Sequence, residues 1–291
     1  MRQPLFHEAE VFVGRDMGGH EYTVTPALIQ RYAAGTGDAH EWYASDSAFG
    51  GPIAPALLFH SEVYANLAWY LPNLIGNLHA KQEWELFHPM AVGAPVRTRS
   101  TVVERYLKRN REYVVNEVLI TDADGRWVQR SRTHQSFLAD VNVSGYVVDK
   151  EREKRPERAF TVAAASGRLL EQLEKTITVE MCQAFSGPHR NYHTDREMAQ
   201  ALGFPDIVVQ GMMSVCFLSE LMTRNFGAGW FCGGKLSVNL VNVVWPNDRL
   251  LVRGAVREEM PEGSKTRVHA DIWCEKPDGV KTIVGTASAV R

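Results

Sequence analysis

The chain has 291 residues, more than one compact domain usually holds, so we expect two units of about 140 residues each. Hydrophobic residues make up 45% and charged residues 23% of the sequence, which excludes extensive disorder. The formal net charge of −2 excludes a global positive field that would attract nucleic acid or an anionic membrane, so any partner must be recognised locally.

The amino-terminal sequence, MRQPLFHEAEVFVGRD, brings in acidic residues early. It lacks the apolar stretch and small-residue cleavage site of a secretory signal, and no window approaches the roughly 18 apolar residues of a membrane span. We therefore predict a cytoplasmic protein. The cysteines stand in apolar segments without a Cys-x-x-Cys spacing, which favours reduced, packed thiols. They are Cys182, Cys216, Cys232 and Cys274.

Two segments of the chain resemble each other at an offset of about 154 residues. Near the start of each copy a threonine, Thr25 or Thr178, stands where it can cap a short helix. Near the end of each copy an Asp-Gly pair, at residues 124–125 or 278–279, separates two strand-like segments and predicts a hairpin. The sequence therefore predicts two copies of one structural unit.

Between these anchors the order of elements also repeats. Each copy has a glycine-bearing loop, a long apolar helix over residues 53–71 or 208–226, and then strand, proline-containing turn, strand and hairpin. A helix so evenly apolar must be covered by a sheet. We predict an α+β fold with a first unit over residues 1–140 and a second over residues 175–291. The charged run KEREKRPER indicates a linker over residues 141–174.

One run of the second copy resembles the MaoC-like (R)-specific enoyl-CoA hydratase/dehydratase family, with the family's spacing kept. The run consists of His193-Thr194-Asp195, Ala199, Gly203-Phe204-Pro205, Val209 and Gln210-Gly211-Met212. The resemblance extends over about 240 residues in two copies. It implies two fused hotdog units, each a long central helix wrapped by an antiparallel sheet.

The first copy resembles the front of the family motif. It has Thr36-Gly37-Asp38, but Tyr43 stands at the histidine position and residues 51–55 replace the sequence that opens the helix. This copy is therefore the degenerate one, and the second is expected to be the active half.

The second copy departs from the family at one position. Where the family has an aspartate five residues before its histidine, this chain has Pro188. A different gap would place Asn191 there, and neither alignment restores a carboxylate. Asp38 and His193 thus divide the family's pair between the copies, and pseudo-symmetry predicts that the two motifs lie at opposite ends of the double unit.

The resemblance gives His193, Asp38 and Asn191 as candidate catalytic residues. Histidine suits proton transfer because its ordinary pKa is about 6.5, whereas Asn191 could position water but cannot act as a base. Gly211 and Met212 are candidate substrate-binding residues, since a backbone N–H at the start of a helix can meet a thioester carbonyl. A capping histidine, a turn aspartate and a plain helix-opening glycine remain open alternatives.

The resemblance implies a hydratase or dehydratase that adds or removes water across the α–β double bond of an acyl-CoA or carrier-bound thioester. The alternatives are an acyl-CoA thioesterase on the same fold and a non-catalytic acyl-thioester-binding protein. No P-loop, dinucleotide fingerprint, zinc spacing or Gly-x-Ser-x-Gly elbow is present, so we expect no metal or separate cofactor, with coenzyme A only as part of the substrate. The expected partner is a small-molecule acyl thioester, not nucleic acid or a membrane, and a homo-oligomer remains open.

Overall fold

The computed structural model describes residues 11–67, 77–108, 111–138 and 168–291. The first half contains β1 (Asp16–Gly18), β2 (Glu21–Thr23), α1 (Pro26–Thr36), a 3-10 helix (Glu41–Tyr43), α2 (Glu62–Leu67), β3 (Leu78–Leu86), β4 (Pro95–Lys108), β5 (Arg111–Asp122) and β6 (Trp127–Leu138). The second half contains β7 (Leu173–Thr176), α3 (Val179–Ser186), α4 (Arg196–Ala201), α5 (Gly211–Phe226), α6 (Ala228–Phe231), β8 (Lys235–Leu240), β9 (Arg249–Glu262), β10 (Lys265–Glu275) and β11 (Lys281–Val290).

All these strands join in a single antiparallel sheet. Its order is β1-β4-β5-β6-β3-β8-β11-β10-β9-β7, with β2 also pairing with β4. The two halves meet where β3 pairs with β8, from Lys81 opposite Asn239 to Glu85 opposite Lys235. Because the strand order on one side of this junction mirrors the order on the other, the halves are related by a pseudo-two-fold axis. The predicted α+β fold of two fused hotdog units is confirmed.

Strand register repeats as well as strand order. Gln129 lies opposite Ile120 in the β5–β6 hairpin, and Ile283 lies opposite Cys274 in the β10–β11 hairpin, each residue 154 positions further along. Both hairpins turn at the predicted Asp-Gly pairs, where the glycine adopts a positive φ of 78° or 90°. The sequence repeat is therefore a structural repeat.

The two predicted threonine caps are also present. The Thr25 hydroxyl accepts a hydrogen bond from the Leu28 amide at the start of α1, and the Thr178 hydroxyl accepts one from the Met181 amide at the start of α3. Each satisfies one backbone donor that the first helical turn leaves without a partner.

The central helix differs between the halves. In the second half, α5 is buried continuously from residue 212 to residue 223 and packs against β9, β10 and β11. In the first half, turns over residues 56–61 replace the beginning of the helix predicted over residues 53–71. The reason is local, because Ile53 is held extended by a bridge to Ala91 and Pro55 disfavours a helical residue before it. Residues 68–76 lie outside the described part.

Most of the predicted linker, residues 141–167, lies outside the described residues. The remainder pairs with the second half, since Leu169 bridges Ala255 and β7 pairs with β9. The second unit thus begins inside the predicted linker. Within the described ranges, no helix is both long enough and apolar enough to cross a membrane.

Candidate functional site

The motif loops of the two halves follow corresponding helices. In the first half α1 ends at Thr36 and the loop continues with Gly37 and Asp38, and in the second half α3 ends at Ser186 and the loop continues with Gly187 and Pro188. The helix ends therefore support the ungapped alignment, in which proline replaces the aspartate. The first helix has 11 residues and the second has 8, so the offset between the copies changes here.

A backbone pairing fixes the other end of each loop. The Ile53 amide donates to the Trp42 carbonyl at 2.9 Å, and the Val208 amide donates to the Tyr192 carbonyl at 3.1 Å. The residue after each aromatic is Tyr43 in the first half and His193 in the second. These two side chains thus occupy equivalent positions, as the resemblance implies.

The His193 ring is oriented by a backbone carbonyl. Its Nδ1 lies 2.6 Å from the Val208 oxygen, and because a carbonyl only accepts, Nδ1 must carry the proton. In the neutral ring, Nε2 is then the unprotonated nitrogen and is available as a base. Burial lowers the pKa of His193 to about 4, although the hydrogen bond to Val208 acts in the opposite direction. The ring is therefore neutral at pH 7.

Asn191 shapes the loop that carries the histidine. Its Nδ2 donates to the carbonyls of Ser186 and His189 at 3.1 and 3.0 Å, and its Oδ1 accepts from the His193 amide at 2.8 Å. Since both ends of the amide are engaged with backbone, Asn191 is placed to position His193. It does not replace the missing carboxylate.

The amino end of α5 begins three residues after Val208. No side chain caps this end, so the first amides of the helix keep the hydrogen-bonding capacity that a cap would take. A Cβ at position 211 would lie 2.0 Å from Cδ2 of Leu240, so any larger residue there would require the Leu240 side chain to move. Met212 is fully buried in the core, so its side chain offers a ligand no surface and only its backbone amide can serve the predicted binding role.

The other predicted catalytic residue, Asp38, is only 2% exposed and faces the second half. Its Oδ2 accepts a hydrogen bond from the Tyr43 hydroxyl at 2.8 Å. Burial first, and the nearby Glu220 carboxylate second, raise the pKa of Asp38 to about 6, while the Tyr43 hydroxyl and Lys175 act to lower it. In the first half, the two motif side chains are thus buried and hydrogen-bonded to each other.

Sequence reasoning missed the ion pair beside this motif. Lys175 Nζ lies 2.6 Å from Glu220 Oε2 and donates to the carbonyls of Thr36 and Gly37, and Arg224 Nη2 lies 2.7 Å from the other Glu220 oxygen. Glu220 is 1% exposed, in the middle of an otherwise apolar helix. A lone carboxylate on such a helix was the available sign that a buried cation must face it.

Asp38 and His193 are not brought together. In the described part of the chain no hydrogen bond or ion pair joins them, and burial and the Val208 carbonyl account for the shifted pKa of the histidine. Asp38 follows the end of α1, where Lys175 bonds to the Thr36 and Gly37 carbonyls and to Glu220 within α5. His193 instead bonds to Val208, three residues before α5 begins. The split pair does not form a shared site.

Two cavities border the sheet and helices. One, of about 230 Å³, lies between α1, α3 and the turn before α2. Its wall includes Ser61, whose hydroxyl lies 3.3 Å from Oε1 of Gln210, the residue before α5. The other, of about 300 Å³, crosses β3 and β8 on the outer face of the sheet, where Arg130 pairs with Glu85. Only the first adjoins the amino end of α5.

In the described ranges, no group of three histidine, cysteine, aspartate or glutamate side chains is arranged to hold a metal ion. The cysteines among these residues are free thiols. The chemistry available at the loop is therefore that of one neutral imidazole next to the amino end of a helix.

Two family models match the sequence. A MaoC like domain matches residues 147–272, and a FAS1-like, dehydratase domain region matches residues 11–131. Together they span most of both halves, which makes the chain a double-hotdog protein of the hydratase/dehydratase class. The second half thus matches a MaoC like domain and the first half a FAS1-like dehydratase region, which confirms the resemblance seen in the motif residues. No protein with a curated description matches the sequence.

Solved structures with similar folds span both halves. A MaoC-like dehydratase from Phytophthora capsici is 16% identical with a TM-score of 0.68, covering 96% of each chain. A putative MaoC domain protein dehydratase from Chloroflexus aurantiacus is 13% identical with a TM-score of 0.70, covering 97% of this chain and 96% of that one. A conserved hypothetical protein from Mycobacterium tuberculosis, described as a double hotdog, is 13% identical with a TM-score of 0.61, covering 99% and 98%. At these identities the likeness establishes the fold.

Buried neutral histidines should make the protein acid-sensitive. Burial lowers the pKa of His193 and His79 to about 4 and that of His60 to about 3, so below pH 6.5 the unfolded chain binds more protons than the folded one. The contribution of each buried histidine to the free energy of unfolding is then fully present above pH 6.5. It is lost as the pH falls, by up to about 1.4 kcal/mol per pH unit for each histidine. Asp38, with its raised pKa, opposes this loss below pH 6.

Urea unfolding between pH 7 and 4.5 tests this expectation. Replacing His193 with Gln should flatten the pH dependence of the free energy of unfolding by up to one proton. A stability that rises steadily as the pH falls from 6.5 to 4.5 would contradict the assignment of neutral buried rings.

Proposed function

We propose that the protein adds or removes water across the α–β double bond of an acyl thioester, with coenzyme A as the thiol. The observation that carries this proposal is the hydrogen bond from His193 Nδ1 to the Val208 carbonyl. It leaves Nε2 as a base on the loop that leads into the uncapped amino end of α5. The match of residues 147–272 to a MaoC like domain supports the reaction class.

A single histidine can complete the proton cycle. In hydration, Nε2 takes a proton from water as the water oxygen bonds to the β carbon, and the electron pair of the double bond moves toward the thioester as an enolate. The imidazolium then gives its proton to the α carbon, which restores the neutral ring. The low pKa of His193 favours this second transfer, because the protonated ring is a strong acid, and by the same amount it weakens Nε2 as the base in the first transfer.

The developing enolate needs a hydrogen-bond donor beside its oxygen. We assign this part to the backbone amides of Gly211 and Met212, where the positive end of the α5 dipole adds to the effect. Removing one such donor typically costs about 3 kcal/mol of transition-state stabilisation. The cavity near Ser61 and Gln210 adjoins this end of the helix and offers a path for the thioester.

One observation favours a second candidate, an acyl-thioester-binding protein without turnover. Pro188 occupies the position of the family's aspartate, so no carboxylate stands at that position to share proton transfer with His193. Tight binding of acyl-CoA with no change in the acyl group would select this candidate.

Enoyl-CoA substrates of graded chain length test the proposal directly. We expect loss of the absorbance of the conjugated thioester and formation of the 3-hydroxyacyl product, without release of free thiol. Release of free thiol would instead show a thioesterase, and failure to convert or bind any member of the series would contradict the proposal.

Asp38 should be dispensable for the chemistry. Since it bonds to Tyr43 and not to the histidine loop, replacing Asp38 with Asn should change kcat/KM by less than about threefold, whereas loss of a general acid or base costs about 10²- to 10⁴-fold. Steady-state kinetics with the best enoyl-CoA, alongside a melting curve to confirm folding, provides the measurement. A loss above a hundredfold in a folded variant would mean that the two motifs act together.

Other properties remain proposals. The expected partner is a small-molecule acyl thioester, and no cofactor is required by the proton cycle above. Cytoplasmic location and homo-oligomer formation stay predictions from the sequence.

A further inference from the structure

The two halves differ sharply on the inner face of the sheet, the face that packs toward the helices. At eight positions the first half carries a polar residue where the second half, 154 positions later in the same register, carries an apolar residue or glycine. The pairs are Gln82 and Leu236, Thr98 and Val252, Ser100 and Gly254, Asn116 and Ala270, Gln129 and Ile283, Ser131 and Gly285, Thr133 and Ala287, and Gln135 and Ala289. We call the eight first-half residues the polar inner face.

All eight side chains of the polar inner face are buried, with exposures between 0% and 6%. They face the helix side of the sheet, because Thr98 donates to Glu62 of α2 at 2.6 Å and Gln135 donates to the Tyr64 hydroxyl. In the second half, the equivalent face of the sheet consists of apolar residues and glycine. The fold itself therefore does not require polar residues at these positions.

Part of the polar inner face is fully hydrogen-bonded. Gln82 Nε2 donates to the Glu83 carbonyl, so its Oε1 accepts from Thr133 at 2.8 Å and from His79 Nε2 at 3.0 Å. The Nδ1 of His79 therefore accepts from the Tyr64 hydroxyl at 3.1 Å. This chain of bonds is structural.

Within the described residues, other polar atoms on the same face have no hydrogen-bond partner. They are both amide atoms of Gln129, Oε1 of Gln135 and the hydroxyl of Ser100, to which the ring N–H of Trp84 on the same face adds a further donor. Each residue is at most 3% exposed. Buried polar groups in native proteins are nearly always satisfied, so a run of unsatisfied ones indicates that a bound molecule supplies the partners.

The chemistry of these atoms defines the substituent they would bind. Free amide oxygens require a donor, and the free Gln129 N–H and Trp84 N–H require an acceptor, so a hydroxyl group meets both needs. The eight residues of the polar inner face carry no charge, and the one carboxylate beside them, Glu62, already accepts from His20, Tyr22 and Thr98. A neutral, oxygenated group fits better than an ionised one.

Position connects this face to the proposed reaction. Tyr64, whose hydroxyl bonds to His79, lies one turn after Ser61. The Ser61 hydroxyl lies 3.3 Å from Oε1 of Gln210, the residue before α5. From Gln135 to Gln129 the strand runs about 20 Å, at roughly 3.3 Å per residue. A long acyl chain that enters beside the histidine would lie along this row.

We propose that the acyl chain of the substrate carries neutral oxygen substituents, hydroxyl groups above all, which bond to the unpaired atoms of the polar inner face. This inference rests on the proposed function, since it names the class of acyl thioester that the same site accepts.

Binding of unreactive saturated acyl-CoAs tests the inference without requiring turnover. Titration calorimetry would compare the binding of a plain long-chain acyl-CoA with that of acyl-CoAs of equal chain length that carry one hydroxyl. The hydroxyl would stand at successive positions in the part of the acyl chain farther from the thioester. We expect at least one hydroxylated chain to bind roughly tenfold or more tightly than the plain chain, because a site built for a hydroxyl rejects an analogue that leaves its polar groups unpaired. Equal binding of all chains would overturn the inference alone. Binding of none would overturn the proposed function and the inference with it.

Variants of the glutamines sharpen the test. Gln129→Leu and Gln135→Leu should remove the preference for the hydroxylated chain and strengthen binding of the plain one. Gln129→Leu should also raise the melting temperature of the free protein, because it removes an unpaired buried amide. Gln82→Leu is the matched control, and it should lower the melting temperature because Gln82 is fully bonded. A drop in the melting temperature for Gln129→Leu, with the preference unchanged, would show a purely structural role.

Discussion

Replacing His193 with alanine should lower kcat/KM for the best enoyl-CoA about 10²- to 10⁴-fold. The ring is the buried imidazole of the motif loop, and general acid–base catalysis by one side chain is typically worth that factor. Binding of a saturated acyl-CoA should change by less than about threefold, since the lost group acts on protons and not on the acyl chain. Steady-state kinetics and calorimetry on the same preparation separate the two effects.

The neighbouring His189 gives a matched control for this experiment. It lies on the same loop, but its side chain is exposed. His189→Ala should therefore keep kcat/KM within about twofold of the parent. If both variants lost activity equally while remaining folded, the effect would belong to the loop and not to the imidazole of His193.

Replacing Lys175 with methionine should lower the free energy of unfolding by about 3 kcal/mol. The change leaves the Glu220 carboxylate, 1% exposed, without its closest cation, and breaking a buried pair typically costs 3–5 kcal/mol. The lower end of that range applies because Arg224 still contacts the other carboxylate oxygen. Urea unfolding at pH 7 measures the difference.

Two further variants distinguish a buried charge from general damage. Adding Glu220→Leu to Lys175→Met should recover most of the lost stability, because an apolar pair can replace a buried ion pair. Arg249→Met, which breaks the exposed pair with Glu174, should cost less than about 1 kcal/mol. Equal losses from Lys175→Met and Arg249→Met would contradict the assignment of the larger cost to a carboxylate left buried without its cation.

The fold could be predicted because its signals are local. A threonine cap, an Asp-Gly turn and an apolar run each depend on a few neighbouring residues, and the same offset joined the copies at Thr25 and Thr178 and at the two hairpins. The first-half helix was the exception. Its apolar composition predicted a helix from residue 53, but pairing of Ile53 with Ala91, far along the chain, holds residue 53 extended, and turns follow over residues 56–61.

The candidate site was predicted only in part. The position of His193 followed from the motif, whereas the partner of its ring is a backbone carbonyl, which no residue type reveals. The contact of Lys175 with Glu220 joins residues from two elements far apart in the sequence and needs the fold. By contrast, the polar inner face could have been found by comparing the two copies position by position.

The central claim is that His193 is a neutral imidazole with its proton on Nδ1 and its Nε2 turned toward a bound thioester. Nitrogen NMR of protein labelled at histidine, with the His193 signals assigned by their loss in His193→Gln, tests it most directly. We expect a neutral ring at pH 7, a proton on Nδ1, and an Nε2 resonance that shifts when a saturated acyl-CoA binds. A protonated ring at pH 7, or a proton on Nε2, would contradict the account, because neither form could take a proton from water at that nitrogen.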